Sequence, residues 1–263
     1  MKLQFIGTGS GKTSLKRYHS SILITGTKHT LLIDAGDGIS RALLSQEINP
    51  NSIDSILFTH YHADHFGGIA SLITQMKLSG RTNSLSIFTH NKLINPLKNY
   101  LNSCYLFDER LGFELMINGF NAEEQIIVSQ EINFTARENS HIQPGTISKN
   151  YPSINFISCS FYFELLNANS EIENKKIIYT SDIGSEKDLY LFKDKSADYF
   201  ITETTHVGMN EIYNFYKTTN QKKLFLTHID DNSEYEISRF LSNLDSSELN
   251  NILMVYDEFY ISC

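Results

Sequence analysis

The apolar positions of this chain fall into short buried runs separated by polar turns. Residues 3–6 form the first run, closed by Gly7, Gly9 and Gly11. Residues 21–25 and 30–33 flank Thr25-Gly26-Thr27 and read as a hairpin. Residues 53–58 are a further buried strand that delivers the chain to Thr59 and His60, and residues 67–76 have helical spacing after a glycine pair. Further along, 84–89 reads as a strand and 93–101 as a helix; 124–128, 132–136 and 160–166 read as strands. Strands are predicted again at 176–180, 199–202, 223–227 and 252–256, with helices at 211–217 and 234–241. The stretch 102–121 shows no clear period. No repeat, Pro-rich linker or charge block interrupts the pattern, and Pro50, Pro96, Pro144 and Pro152 fall in predicted loops. Strands and helices spread through all 263 residues predict one layered α+β domain over 1–263.

Composition narrows this picture. An apolar share of 41% with 17 Phe and 14 Tyr supplies a sizeable core and rules out a disordered or collagen-like chain. No run approaches the roughly 18 apolar residues of a membrane span. The first eleven residues hold one Lys and end in a Gly-rich turn, unlike a signal peptide, so a cytoplasmic protein is expected. Cys104, Cys159 and Cys263 are odd in number and lack metal-ligand spacing, which argues against a disulfide framework. A net charge of -8 disfavours generic binding to nucleic acid or an anionic membrane. It leaves a nucleotide substrate open, because a bound metal supplies local positive charge.

The strongest chemical signal is Thr59-His60-Tyr61-His62-Ala63-Asp64-His65-Phe66-Gly67-Gly68. On an extended stretch, alternation sends His60 and His62 to one side. A following turn brings Asp64 and His65 to a neighbouring point, and the glycine pair lets the backbone swing into a helix. Neutral imidazoles with a carboxylate suit zinc-like metals. The plainer alternative is a polar loop with incidental histidines, yet several imidazoles beside a strand end need partners.

The stretch resembles the HxHxDH signature of the metallo-β-lactamase fold superfamily. The resemblance implies an αββα sandwich with a metal site along one edge of the sheets. It also implies further ligands in order: His141 in Ser140-His141-Ile142-Gln143-Pro144, Asp182 in Thr180-Ser181-Asp182-Ile183-Gly184, and His228 closing Leu226-Thr227-His228. By resemblance, a first metal takes His60, His62 and His141, and a second takes Asp64, His65 and His228. Asp182 and a hydroxide bridge them. Two zinc ions are expected, with manganese or iron open. His29 and His90 receive no role, and His19 stays open.

Asp182 excludes close likeness to the β-lactamases of antibiotic resistance, which lack this carboxylate. The start Phe5 to Gly11 with Arg17 and Ser20-Ser21 resembles ribonuclease Z and related phosphodiesterases, as does Val255-Tyr256-Asp257-Glu258. Ile201-Thr202-Glu203-Thr204-Thr205-His206 resembles that branch's acidic motif and its additional histidine, fused here into one stretch. The resemblance implies that Glu203 orients His206, that His206 faces the phosphate, and that Asp64 assists catalysis. Tyr61, Phe66 and Tyr151 are candidate pocket walls, with aromatic core packing an equal alternative. The interval from His141 to Asp182 is short for the arm that typical ribonuclease Z extends to tRNA. The expectation is therefore a hydrolase of small or cyclic phosphodiesters. Pre-tRNA processing, thioester or lactone hydrolysis, and a non-catalytic metal sensor are the alternatives. A homodimer stays open.

Overall fold

The structure is a computed structural model and describes residues 1–167 and 173–263. The first strands are β1 (Lys2–Gly7), β2 (Ser21–Thr25), β3 (Thr30–Ile33), β4 (Ser55–Leu57), β5 (Leu85–His90) and β6 (Leu115–Phe120). Next come β7 (Gln125–Ile127), β8 (Ile132–Glu138), β9 (Cys159–Leu165), β10 (Lys175–Tyr179), β11 (Tyr199–Glu203), β12 (Lys223–Thr227) and β13 (Ile252–Met254). A last strand, β14 (Tyr260–Ser262), returns to pair with β1. Among the described residues they make two seven-stranded sheets, ordered β14-β1-β2-β3-β4-β5-β6 and β13-β12-β11-β10-β9-β8-β7.

Alternation along the strands sets the layers. Ile22 and Ile24 point between the sheets, while Leu23 points to the outer face. Between the sheets, Phe120, Phe134 and Phe161 meet edge to face at 5.3–5.8 Å, the arrangement ring quadrupoles favour. The outer face of the first sheet is covered by α1 (Ile39–Ser45), α2 (Ala63–Phe66), α3 (Ile69–Leu78), α4 (Ile94–Ser103) and α5 (Asp108–Leu111). The second sheet is covered by α6 (Met209–Thr218) and α7 (Glu234–Ser242), with α8 (Ser246–Leu249) beside β13. The result is the expected αββα sandwich.

Direction matters more than order for the site. Strands β3 to β6 run parallel, so the chain leaves β3 and β4 at the same end of the first sheet. In the second sheet β10 to β13 run parallel, and two antiparallel steps through β9 give β8 the same direction. The segments after β8, β10, β11 and β12 therefore emerge together, where ligands gather in sheets of this kind.

Four local features differ from the sequence expectation. Pro96, expected in a loop, lies in the first turn of α4, where a missing N–H costs the helix no hydrogen bond. The helix predicted from residue 67 is preceded by α2, which begins inside the histidine motif. The unreadable stretch 102–121 holds α5 and β6; β6 is half-buried along most of its length and so carries no alternation. Strand β14 is three residues long and exposed at both ends, too short for a pattern.

Candidate metal centre

The histidine motif leaves β4 and is anchored before it turns. Asp34, fully buried just after β3, accepts from the Thr59 N–H and hydroxyl at 2.9 Å each and from His65 Nδ1 at 2.7 Å. That last bond turns His65 Nε2 inward, to 3.4 Å from Asp64 Oδ2 and 3.3 Å from Asp182 Oδ1. Thr59 Oγ1 also lies 3.0 Å from His60 Nδ1. Because that hydroxyl already donates to Asp34, it accepts the His60 Nδ1 proton and leaves Nε2 as the free nitrogen.

The second sheet contributes separate loops. After β8, Asn139 Oδ1 accepts the His141 N–H at 3.1 Å, and its Nδ2 donates to the Asp182 carbonyl at 3.0 Å. Asp188 Oδ2 accepts from Ser140 Oγ at 2.6 Å and from the Gly184 N–H at 2.9 Å. These two side chains tie the His141 loop to the Asp182 loop. After β12, His228 places Nε2 3.1 Å from Asp64 Oδ2 and 3.3 Å from Asp182 Oδ2. Asp34, Ser181 and His228 all hold left-handed backbone, with φ of 62°, 54° and 54°. Such strain in non-glycine residues persists where surrounding structure over-determines it, often at functional sites.

Two glycines make the crowding workable. A Cβ on Gly36 would fall 1.9 Å from the Asp64 carbonyl oxygen, and one on Gly184 would fall 2.1 Å from the Ser140 carbonyl oxygen. Neither approach is open to any other residue.

All seven sequence-predicted ligands converge. Donor atoms of His60, His62, His141 and Asp182 lie within 4.8 Å of one another, as do those of Asp64, His65, Asp182 and His228. Asp182 belongs to both sets. His60 Nε2, His65 Nε2 and Asp182 Oδ1 are buried with no hydrogen-bond partner among the described residues. Orphaned buried donors and acceptors are costly, and a cation among them removes the cost. One set of three imidazoles and one of two imidazoles with a second carboxylate, sharing Asp182, fit a pair of zinc-like ions.

The electrostatics favour the ligating forms of most members. Burial pulls His60 and His62 below the ordinary imidazole range and His141 down to about 4, so all three are neutral at pH 7. Burial alone would raise Asp64 and Asp182, but His228 and His65 outweigh it and hold both carboxylates low. Burial would lower His65; Asp182 and Asp34 on either side outweigh that and hold it high while no cation competes for Nε2.

Glu203 and His206 sit beside this cluster. Glu203 is 1% exposed, and its Oε1 lies 2.9 Å from His206 Nδ1. That bond raises the His206 pKa and, against burial, lowers that of Glu203. The His206 ring centroid is 4.7 Å from that of His141 and 6.1 Å from that of His228.

Other candidates lie elsewhere. Tyr61 stacks on Phe66 at 4.1 Å and bonds Thr89 through its hydroxyl at 2.8 Å. Both rings pack with the helices of the first sheet, so they are core and not pocket wall. Tyr151 is exposed on the loop after His141. Arg17, Thr8 and Asp257 come together as a brace: Asp257 accepts from the Thr8 hydroxyl at 2.6 Å and the Tyr18 N–H at 2.7 Å, and Arg17 donates to Thr8 at 2.7 Å. Gly9 then bridges His19 on one side and Ile229, next to His228, on the other. His19 Nδ1 donates to the Ser10 carbonyl at 2.8 Å. His29 bonds Ser55, and His90 faces Glu138. Sequence reasoning missed Asp34, Asn139, Asp188 and Thr205. Only Asp34 carried a signal, a carboxylate closing the apolar run Leu31-Leu32-Ile33 before Ala35-Gly36.

Fold and donor set together define a metal-dependent hydrolase of the metallo-β-lactamase fold. More narrowly, the chain belongs to the family described as Anti-Pycsar protein Apyc1, whose model matches residues 1–242. It is 28% identical over 254 residues to the anti-Pycsar protein Apyc1 of Bacillus phage BSP38, covering 89% of this chain and 90% of that one. It is 27% identical over 198 residues to ribonuclease Z of Methanococcus aeolicus, covering 70% of this chain and 61% of the archaeal protein's length. Among solved structures, the metallo-β-lactamase fold protein YhfI of Bacillus subtilis superposes with a TM-score of 0.74 at 18% identity, over 99% of this chain and 98% of that one. Among the described residues no helix is long and apolar enough to cross a membrane.

Proposed function

We propose that this chain hydrolyses a small or cyclic phosphodiester, a cyclic nucleotide foremost, using two zinc-like ions. In this reading His60, His62 and His141 hold one ion, Asp64, His65 and His228 hold the other, and Asp182 is shared. The observation that carries it is the position of Asp182 between two donor sets with the Glu203–His206 pair alongside. Bound there, the cations supply an activated water and positive charge against the phosphate. Asp64 orients the attacking water by accepting its hydrogen bond. Glu203 holds His206 by Nδ1, which leaves Nε2 to donate a proton to the departing oxygen as the P–O bond breaks.

The charge of -8 and the near full-length match to the phage anti-Pycsar protein support a small substrate. Ribonuclease Z relatives favour the second reading, an RNA 3′-processing nuclease. The test is the zinc-loaded chain assayed against cyclic nucleotides, linear phosphodiesters, pre-tRNA and thioesters, with metal analysis on the same preparation. Turnover of a cyclic or small diester with two zinc ions per chain is expected. Cleavage confined to pre-tRNA or to thioesters, or a stoichiometry that never exceeds one, would overturn the reading. His206→Ala is expected to cut turnover about 10²–10⁴-fold on diesters with poor leaving groups and to leave metal content unchanged. A fall in metal content with the rate would make His206 a ligand instead.

A further inference from the structure

We propose that the Thr205 hydroxyl couples the second donor set to the Glu203–His206 pair, its single proton pointing to Glu203 when a cation sits on His228 and to His228 when none does. The inference rests on the reading of His228 as a ligand.

Thr205 Oγ1 stands at the centre of three groups. It lies 2.9 Å from His228 Nδ1, 2.8 Å from Glu203 Oε2 and 3.2 Å from His206 Nδ1. A hydroxyl has one proton to give and two lone pairs to receive with. With a cation on His228 Nε2, the ring proton must sit on Nδ1. Nδ1 then donates to Thr205, and the only proton Thr205 can give goes to Glu203. Without a cation, Nε2 lies 3.1 Å from Asp64 Oδ2 and can carry the ring proton as a donor. Nδ1 then becomes an acceptor, and the Thr205 proton turns toward it. The switch is a change in which ring nitrogen carries the proton: one proton leaves Nε2 for solvent and one is taken up at Nδ1.

His206 feels the difference. Glu203 is pinned by the Thr205 N–H at 2.6 Å, the His206 N–H at 2.9 Å and the Ile183 N–H at 3.3 Å, so it does not follow the hydroxyl. In the cation-bound arrangement one lone pair of Thr205 is taken by His228 and its proton is given to Glu203, so the Thr205 oxygen and the Glu203 carboxylate are both poorer acceptors for His206 Nδ1–H. In the cation-free arrangement both Thr205 lone pairs are open, and His206 shares its proton between Thr205 and Glu203. Occupancy of the second donor set thus changes the acceptors offered to His206 Nδ1–H. Thr59 shows the same construction without a proton donor attached, standing between His60 Nδ1 at 3.0 Å and Asp34 Oδ2 at 2.9 Å. Thr205 is in this sense a positioning residue.

The test follows histidine ring nitrogens by NMR in the full chain, labelled with ¹⁵N-histidine and titrated with zinc, alongside chelator competition for each equivalent. In the wild type, the second equivalent is expected to convert His228 to the Nδ1–H form and to shift the His206 signals in step. In Thr205→Val the second zinc should bind about 10–100-fold more weakly. Once it is bound, the His206 signals should stay where they were. Thr205→Ser should restore both, and Thr205→Ala repeats the test with a smaller side chain should Val disturb the fold. A His206 response unchanged in Val and Ala, or one that Ser fails to restore, overturns the coupling alone. His228 signals that ignore zinc overturn the ligand assignment together with it.

Discussion

The two sheets supply the metal centre in contrasting ways. The first gives four donors, His60, His62, Asp64 and His65, from one stretch of six residues braced by a single buried carboxylate, Asp34. The second gives three donors, His141, Asp182 and His228, from three strand ends on two separate supports: Asn139 and Asp188 shared by the first two, Thr205 for the third. A contiguous motif concentrates its dependence on one brace, whereas a dispersed one spreads it. Damage to the first half should therefore be felt at both donor sets, and damage to Thr205 in the second half at one.

The most severe break is Asp182→Ala, which removes the group the two halves share. Turnover is expected to fall about 10³-fold, the scale on which a preorganised electrostatic group is missed. Metal analysis should show weakened binding at both positions, and circular dichroism an intact fold. Wild-type turnover with both metals retained would refute the assignment. Next come the two braces. Asp34→Asn removes the charge that His65 and Thr59 depend on, so chelator competition should show both zinc equivalents weakened about 10–100-fold. Urea unfolding should show a loss of about 1–3 kcal/mol, the cost of a buried donor on Thr59 or His65 left without its acceptor. Thr205→Val, at the brace of His228 alone, should weaken only the equivalent held by His228. Equal effects of the two substitutions on the two equivalents would erase the contrast.

The smallest effect lies outside the centre and calibrates the others. Glu131, 5% exposed, accepts the Thr27 and Lys28 N–H groups of the β2–β3 loop at 3.2 and 3.0 Å. Burial would raise its pKa, but those N–H groups outweigh it and hold the carboxyl low. A depressed folded pKa contributes stability above the unfolded value near 4.5, lost as pH falls through the lower folded value. Glu131→Gln should therefore cost no more than about 1 kcal/mol at pH 7 and nothing well below pH 4, with zinc affinity unchanged. Urea titrations at the two pH values check it.

The same contrast explains what could be read before folding. The His60 to His65 motif is legible because its geometry is local: an extended pair, a helical turn and a glycine pair. His141, Asp182 and His228 show themselves only as polar residues at the ends of apolar runs, and their order along the chain, by resemblance, joined them. Asp188 gives no such hint, since its role depends on two loops that meet only after β8 and β10 lie in one sheet. Tyr61 and Phe66 were open between pocket wall and core because an aromatic beside a metal motif reads the same whether it faces substrate or core. Helix α5 was unreadable for another reason. Four residues cannot display a period of 3.6.

The glycines beneath the donor loops bear on how mutational surveys of this chain are interpreted. Gly36 leaves room for the backbone at Asp64, and Gly184 for the backbone at Ser140, next to His141. Neither has a side-chain atom to offer a cation or a substrate. A comprehensive substitution library scored by loss of activity would nonetheless rank both positions with the ligands. Clearance and contact carry the same phenotype here, and only a metal-binding readout combined with a measure of folding tells one from the other.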